Sequence, residues 1–274
     1  MNKYTFLRFP EFRMKALTLS YDDGPADDAR LVSILNEHGL KCTFNINSGS
    51  FRGWNGMSPA ETLAYYKKGG HEIAVHGYRH LSLTEVPSEM AVNDIIEDRR
   101  NLEAMTGDIV TGMAYANGSF DDSVVEILKR CGIKYSRTCV STGGFDIPSD
   151  WLRLPPTCHH NDPRLPELIE QFLSDRQASY YWSNRPMLFY LWGHSFEFPH
   201  KDNWHVIEDF AERLGGRDNI WYATNGEIFD YVTAYDRLEF DVLGKTVHNP
   251  TSTGVWLNLL GQDIYVGSGE TVRA

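Results

Sequence analysis

An α/β fold, with a mostly parallel sheet that curls into a (β/α) barrel, is predicted by the order of elements along this chain. Short apolar runs alternate with amphipathic segments of helix length from residue 15 to about residue 236. This alternation is typical of βαβ units, whose crossovers are right-handed. About six or seven such units favour a barrel, although the pattern alone leaves an open sheet as an alternative.

The strands and helices can be placed one by one. Apolar runs predict strands over 15–20, 42–47, 71–76, 109–116, 186–195 and 219–224. Amphipathic segments predict helices over 27–40, 58–70, 87–107 and 121–132. The first helix ends near Gly39, and the second has Ser58 as its cap and Pro59 at its first position. The third has apolar residues spaced by about 3.6 positions and closes on Gly107.

The pattern changes near residue 237. Residues 237–274 contain short alternating runs and turn residues, without a helical period. This stretch predicts a small antiparallel β appendage. The expected organisation is therefore a barrel domain over 1–236 and a β-rich appendage over 237–274.

Composition and charge exclude several classes of protein. Of the 274 residues, 42% are hydrophobic and 23% charged, which indicates a folded chain with a proper core. The net charge of −11, without any Lys/Arg-rich stretch, argues against nucleic acid and anionic membrane surfaces as partners.

The same composition bears on the compartment. Residues 1–16 carry charges that interrupt any signal-peptide core, and no stretch approaches the ~18 apolar residues of a membrane span. The four cysteines are widely spaced, which predicts buried thiols rather than a disulfide scaffold. These features predict a cytoplasmic protein.

Polar and titratable residues follow several of the predicted strands. They are Asp22, Asp23, His76, His80, Asn117 and His194. The carboxyl ends of parallel strands meet at one edge of an α/β sheet, which is where functional residues gather. We therefore expect these side chains to lie together.

The histidine pair in "HGYRH" is the first indication of a metal. His76 and His80 place two imidazoles on one side of a helical turn, which suits a divalent ion. Alone, this spacing is equally well explained by two hydrogen-bonded loop histidines. With Asp22-Asp23 at a neighbouring strand end, it becomes one Asp and two His with open positions, typical of a catalytic metal site. The second carboxylate can then accept a proton from water that the metal activates.

Three ordered motifs support a specific resemblance. "LTLSYDDGP", "GHEIAVHGYRHLSL" and "LFYLWGHS" resemble the polysaccharide deacetylase family, also called carbohydrate esterase family 4 or the NodB homology domain. The resemblance spans residues 15 to about 235. It implies a distorted seven-stranded (β/α) barrel and removal of N- or O-linked acetyl groups from an acetylated carbohydrate. It also implies a divalent metal, zinc first, with cobalt or nickel as alternatives.

The resemblance assigns roles to the strand-end residues. Asp22 corresponds to the general base and His194 to the general acid. The metal ligands correspond to Asp23, His76 and His80.

Two further motifs of the family fall on this chain. The third falls on "AYANG" over 114–118, where the backbone N–H of Asn117, beside Tyr115, would help to hold the oxyanion. The fourth falls on Asp150-Trp151, where Asp150 would orient His194.

Some positions depart from the family pattern. Ala114 replaces the arginine that would pair with the base, and Ala116 replaces a proline. Gly77 replaces the Ser or Thr that usually follows the first metal histidine. We therefore expect Asp22 to lack one influence that lowers the pKa of a carboxyl group.

Aromatic residues near these loops are candidate sugar platforms. They are Trp54, Tyr78, Trp151, Trp192 and Trp204. Packing is the simpler interpretation for Trp151 and Trp192, whereas Trp54, in the loop over 50–58, is the best candidate for a stacked substrate. The pair His159-His160 is predicted to lie in a surface loop.

Two alternatives to a carbohydrate deacetylase stay open. One is a hydrolase of another amide or ester in the same superfamily, and the other is a non-catalytic carbohydrate-binding barrel. The presence of both an acid and a base weighs against the second, because binding alone does not need them.

Overall fold

A computed structural model describes residues 4–174 and 179–274 of the chain. Its strands are β1 Thr5–Arg8, β2 Lys15–Asp22, β3 Cys42–Ile46, β4 Glu72–Val75, β5 Gly112–Ala114, β6 Tyr135–Arg137, β7 Cys158–His159, β8 Met187–Gly193, β9 Ile220–Tyr222, β10 Glu239–Phe240, β11 Thr246–His248, β12 Val255–Leu259, β13 Gln262–Val266 and β14 Thr271–Arg273. Its helices are α1 Asp28–Glu37, α2 Pro59–Lys68, α3 Ser88–Thr106, α4 Asp122–Arg130, α5 Leu165–Leu173, α6 Tyr180–Asn184, α7 Glu197–Lys201, α8 His205–Leu214 and α9 Asn225–Asp236.

The central sheet is parallel and curled. Its strands lie in the order β6-β5-β4-β3-β2-β8-β7, and β9 pairs in parallel with the first half of β2. Helices lie between most successive strands of this sheet, in keeping with the right-handed crossovers of βαβ units, whereas β6 and β7 are joined without an α-helix. The arrangement is a curled half-barrel, which confirms the predicted α/β fold of the distorted barrel type.

Local sequence explains where the main elements begin and end. Every residue of β2 is buried, as expected for a central strand covered on both faces. The helix α2 begins with a capping box, in which Ser58 and Glu61 satisfy each other's backbone N–H groups, and has Pro59 at its first position. The helix α3 ends at Gly107, which takes the left-handed conformation that terminates many helices. The strands and helices predicted from sequence are all present, with ends shifted by a few residues.

The C-terminal stretch forms antiparallel β structure, as predicted. One small sheet has the order β10-β11-β14, and a second has the order β1-β12-β13. The strand β1, which the sequence pattern did not reveal, pairs with β12 in antiparallel register, Thr5 opposite Leu259 and Arg8 opposite Trp256. The N-terminal strand is therefore part of the appendage, and the division at residue 236 stays a prediction.

The apolar core lies between the sheet and its helices. Leu17, Leu19 and Phe44 of the central strands are fully buried there. Three of the cysteines are buried and the fourth is half-buried, and none forms a disulfide, as predicted. Within 4–174 and 179–274, no helix has the length and apolar character needed to cross a membrane.

Candidate active site

The carboxyl ends of β2, β4 and β8 bring the predicted residues together. Asp22 is the last residue of β2, and the register pairs Tyr21 with Gly193, the residue before His194. His76 follows β4 directly. The parallel register of the sheet therefore gathers the motifs at one edge, as the sequence predicts.

Asp23, His76 and His80 form a cluster of candidate metal ligands. One ligand atom from each lies within 4.8 Å of the others. The Oδ1 atom of Asp23 is 3.5 Å from Nε2 of His76 and 3.5 Å from Nε2 of His80. Asp23 and His80 both adopt positive φ angles, 74° and 57°, which are unusual for residues other than glycine.

The surroundings of His76 leave the correct nitrogen available to a metal. Its Nδ1–H donates to the carbonyl oxygen of Ala114 at 2.9 Å, which leaves the lone pair of Nε2 facing Asp23. Burial lowers the pKa of His76 and outweighs the nearby carboxylates, which keeps the ring neutral. The donor set, one carboxylate and two imidazoles with open positions, fits a divalent metal of the zinc type.

Buried polar groups hold the loop that carries His76. Asp98 accepts the backbone N–H groups of His76 and Ser48 at 2.9 Å and 2.7 Å. Asn47 donates to the carbonyl oxygens of His76 and Gly77, both at 2.8 Å. These bonds fix the loop without a hydroxyl at position 77.

The same geometry explains the glycine at position 77. Gly77 has a φ angle of 86°, and a Cβ atom there would lie 2.6 Å from Oδ2 of Asp94. A side chain therefore does not fit at position 77. Asp98 and Asn47 hold the loop instead of the Ser or Thr that the family has at this position.

Asp22 is a buried carboxylate held by a cation. Its side chain accepts from Nδ2 of Asn45 at 2.8 Å and from Nη2 of Arg137 in a short contact. Burial opposes ionisation of Asp22, but Arg137, followed by the nearby histidines His76 and His194, outweighs it, so the pKa of the carboxyl group is lowered. Asp22 is thus ionised and lies 3.8 Å from Nε2 of His76.

Arg137 takes the place of the arginine that is absent at position 114. It is the last residue of β6, and the register pairs it with Ala114 on β5. Side chains at paired positions of neighbouring strands project from the same face of a sheet, so an arginine on β6 reaches the same carboxylate. The expectation that Asp22 lacks a charge partner is therefore wrong. The available signal was an arginine at the end of the short segment "YSR".

His194 also approaches Oδ2 of Asp22, and it has an unexpected partner. Its Nε2 is 3.9 Å from Oδ2 of Asp22, and its Nδ1–H donates to Oε1 of Glu197 at 2.9 Å. The predicted contact with Asp150 is wrong: Asp150 accepts from the N–H of Leu152 and from Arg153, and no contact among the described residues joins it to His194. Asp150 caps the turn after it instead. Glu197, three residues after His194, was missed.

The histidine pair His159-His160, at the end of β7, does not lie in a surface loop. His160 is 1% exposed and stacks between the rings of Tyr21 and Phe198. His159 is half-buried, with Nε2 3.4 Å from Oε1 of Glu197. The surface prediction is wrong. Adjacent side chains of an extended segment point in opposite directions, and here His160 faces the core while His159 faces the site.

Tyr115 and Asn117 flank the site in different ways. The hydroxyl of Tyr115 is buried and donates to the carbonyl oxygen of Leu152 at 2.7 Å, so it holds the loop. Asn117 has a φ angle of 55°, and its side chain donates to Oγ of Ser82 at 3.1 Å. The proposed oxyanion role concerns its backbone N–H, which stays a prediction.

The candidate aromatic platforms separate by burial. Trp54 is 5% exposed and packs against Tyr65 and Tyr66, so it belongs to the core and cannot stack on a substrate. Trp151 packs against Phe229, in line with the packing interpretation.

Of the tryptophan candidates, Trp192 contacts the site. Its ring is 8% exposed and lies 4.1 Å from the guanidinium carbon of Arg137, a cation–π contact. Its centroid is 5.7 Å from that of His194. The ring of Trp192 therefore packs against the guanidinium group of Arg137 and holds it in place.

The fold and this cluster define a curled α/β half-barrel with a candidate catalytic metal centre at the carboxyl edge of its sheet. The family model described as polysaccharide deacetylase matches residues 10–136. This match confirms the resemblance that the motifs indicate, over a stretch that is somewhat less than half of the chain.

A curated relative and several solved structures are similar to the chain. A chitin deacetylase from Colletotrichum lindemuthianum is 29% identical over 91 residues, which are 33% of this chain and 35% of that protein. The chain thus matches about a third of the length of this relative.

The structural similarity extends over more of the chain. A family 4 carbohydrate esterase from Streptomyces lividans, in complex with acetate, has a TM-score of 0.53 at 13% identity, covering 77% of this chain and 93% of that one. A family 4 acetyl xylan esterase from Clostridium thermocellum, in complex with a cobalt ion, has a TM-score of 0.51 at 15% identity, covering 79% and 91%. At this identity the likeness establishes the fold.

Proposed function

We propose that this chain is a metal-dependent hydrolase that removes acetyl groups from an acetylated carbohydrate. One observation carries the proposal: an ionised, buried Asp22 lies between the candidate ligands Asp23, His76 and His80 and the imidazole of His194. The family match and the deacetylase and esterase names of the similar proteins support the same reaction class.

The metal is part of the proposal. Asp23, His76 and His80 would hold a divalent ion, with zinc as first choice and cobalt or nickel as alternatives. When bound, such an ion polarises a carbonyl group and makes water more acidic. The cobalt ion in the similar esterase supports a metal on this fold.

The chain's own residues would move the protons. Asp22 is held ionised by Arg137 and would accept a proton from the attacking water. His194, whose Nε2 lies 3.9 Å from Asp22, would donate a proton to the departing nitrogen or oxygen of the sugar. The backbone N–H of Asn117 would stabilise the negative charge that develops on the acetyl oxygen.

Leaving-group chemistry predicts which substrates depend on His194. An amine leaves poorly unless it is protonated, whereas an alcohol or a phenol leaves more easily. Loss of the donor should therefore slow the hydrolysis of N-acetyl groups more than that of O-acetyl groups.

Acetate release from a panel of substrates tests the proposal. The panel holds chito-oligosaccharides, acetylated xylan and aryl acetates, each offered to the zinc-loaded protein. We expect acetate from at least one carbohydrate, and a fall in kcat of about 100-fold or more in Asp22→Asn and His194→Ala.

Two results would contradict it. If both variants bind zinc and still release acetate at the wild-type rate, the roles of Asp22 and His194 are wrong. If the zinc-loaded wild type releases acetate from none of the substrates, a different amide or ester is the substrate.

A further inference from the structure

His194 is held by a carboxylate that belongs to none of the five motifs. Glu197 begins α7, three residues after His194, and its Oε1 accepts the Nδ1–H of His194 at 2.9 Å. This contact leaves Nε2 as the ring atom that faces Asp22, 3.9 Å away. Glu197 thus fixes the orientation of the His194 ring through its contact with Nδ1.

Glu197 is itself surrounded by donors, most of them from β7 and the two residues after it, among them Nε2 of His160 at 3.4 Å from Oε2. Asn161, two residues after β7, donates its amide to Oε2 in a short contact. His159 directs Nε2 toward Oε1 at 3.4 Å, and Lys201 lies 3.3 Å from Oε2. Burial opposes ionisation of Glu197, but the histidines around it outweigh burial, and the pKa of the carboxyl group is lowered. The carboxylate is therefore charged and fixed.

The same atoms could in principle hold a second metal. Ligand atoms of His159, His194 and Glu197 lie within 4.8 Å of one another. The hydrogen bond at the other side of the His159 ring argues against it: the backbone N–H of Asn161 donates to Nδ1 at 3.1 Å. A neutral imidazole carries one proton, and the nitrogen that accepts a hydrogen bond is the one without it. In His159 the acceptor is Nδ1, so Nε2 carries the proton and is a donor. Burial lowers the pKa of His159 to about 4, which is consistent with a neutral ring.

From this geometry we infer that Glu197 is the positioning residue for His194, in place of Asp150, and that His159 and Asn161 hold Glu197 in the position it needs. The inference rests on the proposed function, because it gives His194 the role of proton donor. A carboxylate behind Nδ1 fixes the ring and stabilises the imidazolium that a proton donor must form. The carboxylate comes from α7 and its support from β7.

A charge-removing substitution with little change in shape tests the inference. Glu197→Gln keeps an oxygen that can accept from Nδ1 and loses the negative charge. We expect kcat/KM for an N-acetylated chito-oligosaccharide to fall about 100-fold or more, and that for 4-nitrophenyl acetate to change about threefold at most, because a nitrophenolate leaves without a proton. A merely structural role would lower both values alike.

A matched control and a second variant accompany this measurement. Glu208→Gln removes a carboxylate that pairs with Arg30 on the surface, and we expect both substrates to be hydrolysed at the wild-type rate. His159→Phe leaves Glu197 charged and removes the Nε2 donor. We expect kcat/KM for the N-acetylated substrate to fall selectively again, with a fold-change about a tenth as large as in Glu197→Gln.

A spectroscopic measurement tests the geometry without turnover. In the metal-free protein, the His194 Nδ1–H proton should give a proton resonance far downfield of the amide region, because it donates to a charged carboxylate. We expect the resonance to be absent in His194→Ala and shifted upfield in Glu197→Gln. Spectra of the wild type and His194→Ala are enough to assign this resonance. The contact can therefore be tested even if Glu197→Gln is too unstable for kinetics.

The outcomes separate this inference from the proposed function. Equal losses on both substrates in Glu197→Gln, or a selective loss in Asp150→Asn instead, would overturn the role of Glu197 while acetate release stands. A wild type that releases no acetate would overturn the proposed function, and the downfield resonance would still decide the contact. Binding of two zinc ions per chain, with one lost in Glu197→Gln, would assign the cluster to a metal and overturn the inference.

Discussion

The pairing of Asp22 with Arg137 is the residue-scale feature that sets the chemistry of the centre. Both side chains are almost fully buried, and the guanidinium also lies on the ring of Trp192. A buried carboxylate without a cation would take up a proton and could not act as a base at neutral pH. Arg137 therefore maintains the charge on which the proposed role of Asp22 depends.

Moving the arginine between strands tests this dependence. Arg137→Ala should lower kcat/KM for acetate release by about 100-fold, since the buried carboxylate loses its partner. The double variant Ala114→Arg, Arg137→Ala places an arginine on the paired position of β5, facing the same space. We expect it to recover at least about tenfold over the single variant in the same acetate assay.

The comparison must be made between folded proteins. Circular dichroism and urea midpoints establish whether both variants retain the fold. A folded double variant with no more activity than the single one would show that the charge beside Asp22 is not what Arg137 supplies.

Residues at the ends of strands that the sequence pattern shows could be predicted, whereas residues on very short elements could not. Asp22, Asp23 and His76 lie where their strands end, so a parallel sheet gathers them whatever its details. Arg137 and Glu197 reach the centre because short elements happen to pair or turn beside it. Their local sequences carry no periodic signal for this.

At the scale of elements, a buried carboxylate ties two helices to the loop of His194. Asp28, at the start of α1, accepts from the hydroxyl of Tyr66 on α2 at 2.6 Å and from Oγ of Ser195 at 2.5 Å. Burial raises the pKa of Asp28 from 3.8 to about 7, against the opposing effect of these two hydrogen bonds. The folded protein therefore holds a proton here that the unfolded chain releases.

The pH dependence of stability follows from this proton. Between pH 3.8 and about 7 the folded state keeps the proton of Asp28 and the unfolded state loses it, so the free energy of unfolding falls as pH rises. Asp28→Asn removes this dependence. Relative to the variant, the wild type should lose stability of the order of 4 kcal/mol across that window.

Urea unfolding at several pH values measures the difference between the two proteins. Subtracting the variant's free energy of unfolding from that of the wild type cancels the titration of all other groups. A difference that stays constant from about pH 4 to about pH 7.5 would contradict the account of Asp28.

Some of the elements that sequence patterns did not reveal are very short. The strands β6 and β7 have three and two residues, too few to show an alternating pattern. Longer elements such as β2 and α3 carry enough residues for their period and their caps to be recognised.

For the whole molecule, the two ends of the chain are joined in one sheet. The strand β1 pairs with β12, and Leu7 and Phe9 pack in a cluster with Ile228 and Tyr231 of α9. Contacts this distant along the chain leave no trace in a local pattern, which is why the appendage was predicted without its N-terminal strand. The barrel was predictable because each βαβ unit repeats a local signal.

The proposed activity depends on one property of the assembled centre: Asp23, His76 and His80 hold a metal that acetate release requires. Asp23 follows β2, whereas His76 and His80 share the loop after β4, so the three ligands meet only when the sheet forms. The ligand set predicts one metal ion per chain at this centre, and loss of one imidazole should weaken binding of that ion.

Zinc titration of the chelated protein, followed by acetate release, tests this claim most directly. We expect no release from the chelated protein, a linear rise with added zinc, and a plateau at about one equivalent per chain. His80→Gln should need at least about tenfold more zinc to reach its plateau. Full acetate release by the chelated protein, or an identical titration curve for His80→Gln, would contradict the account.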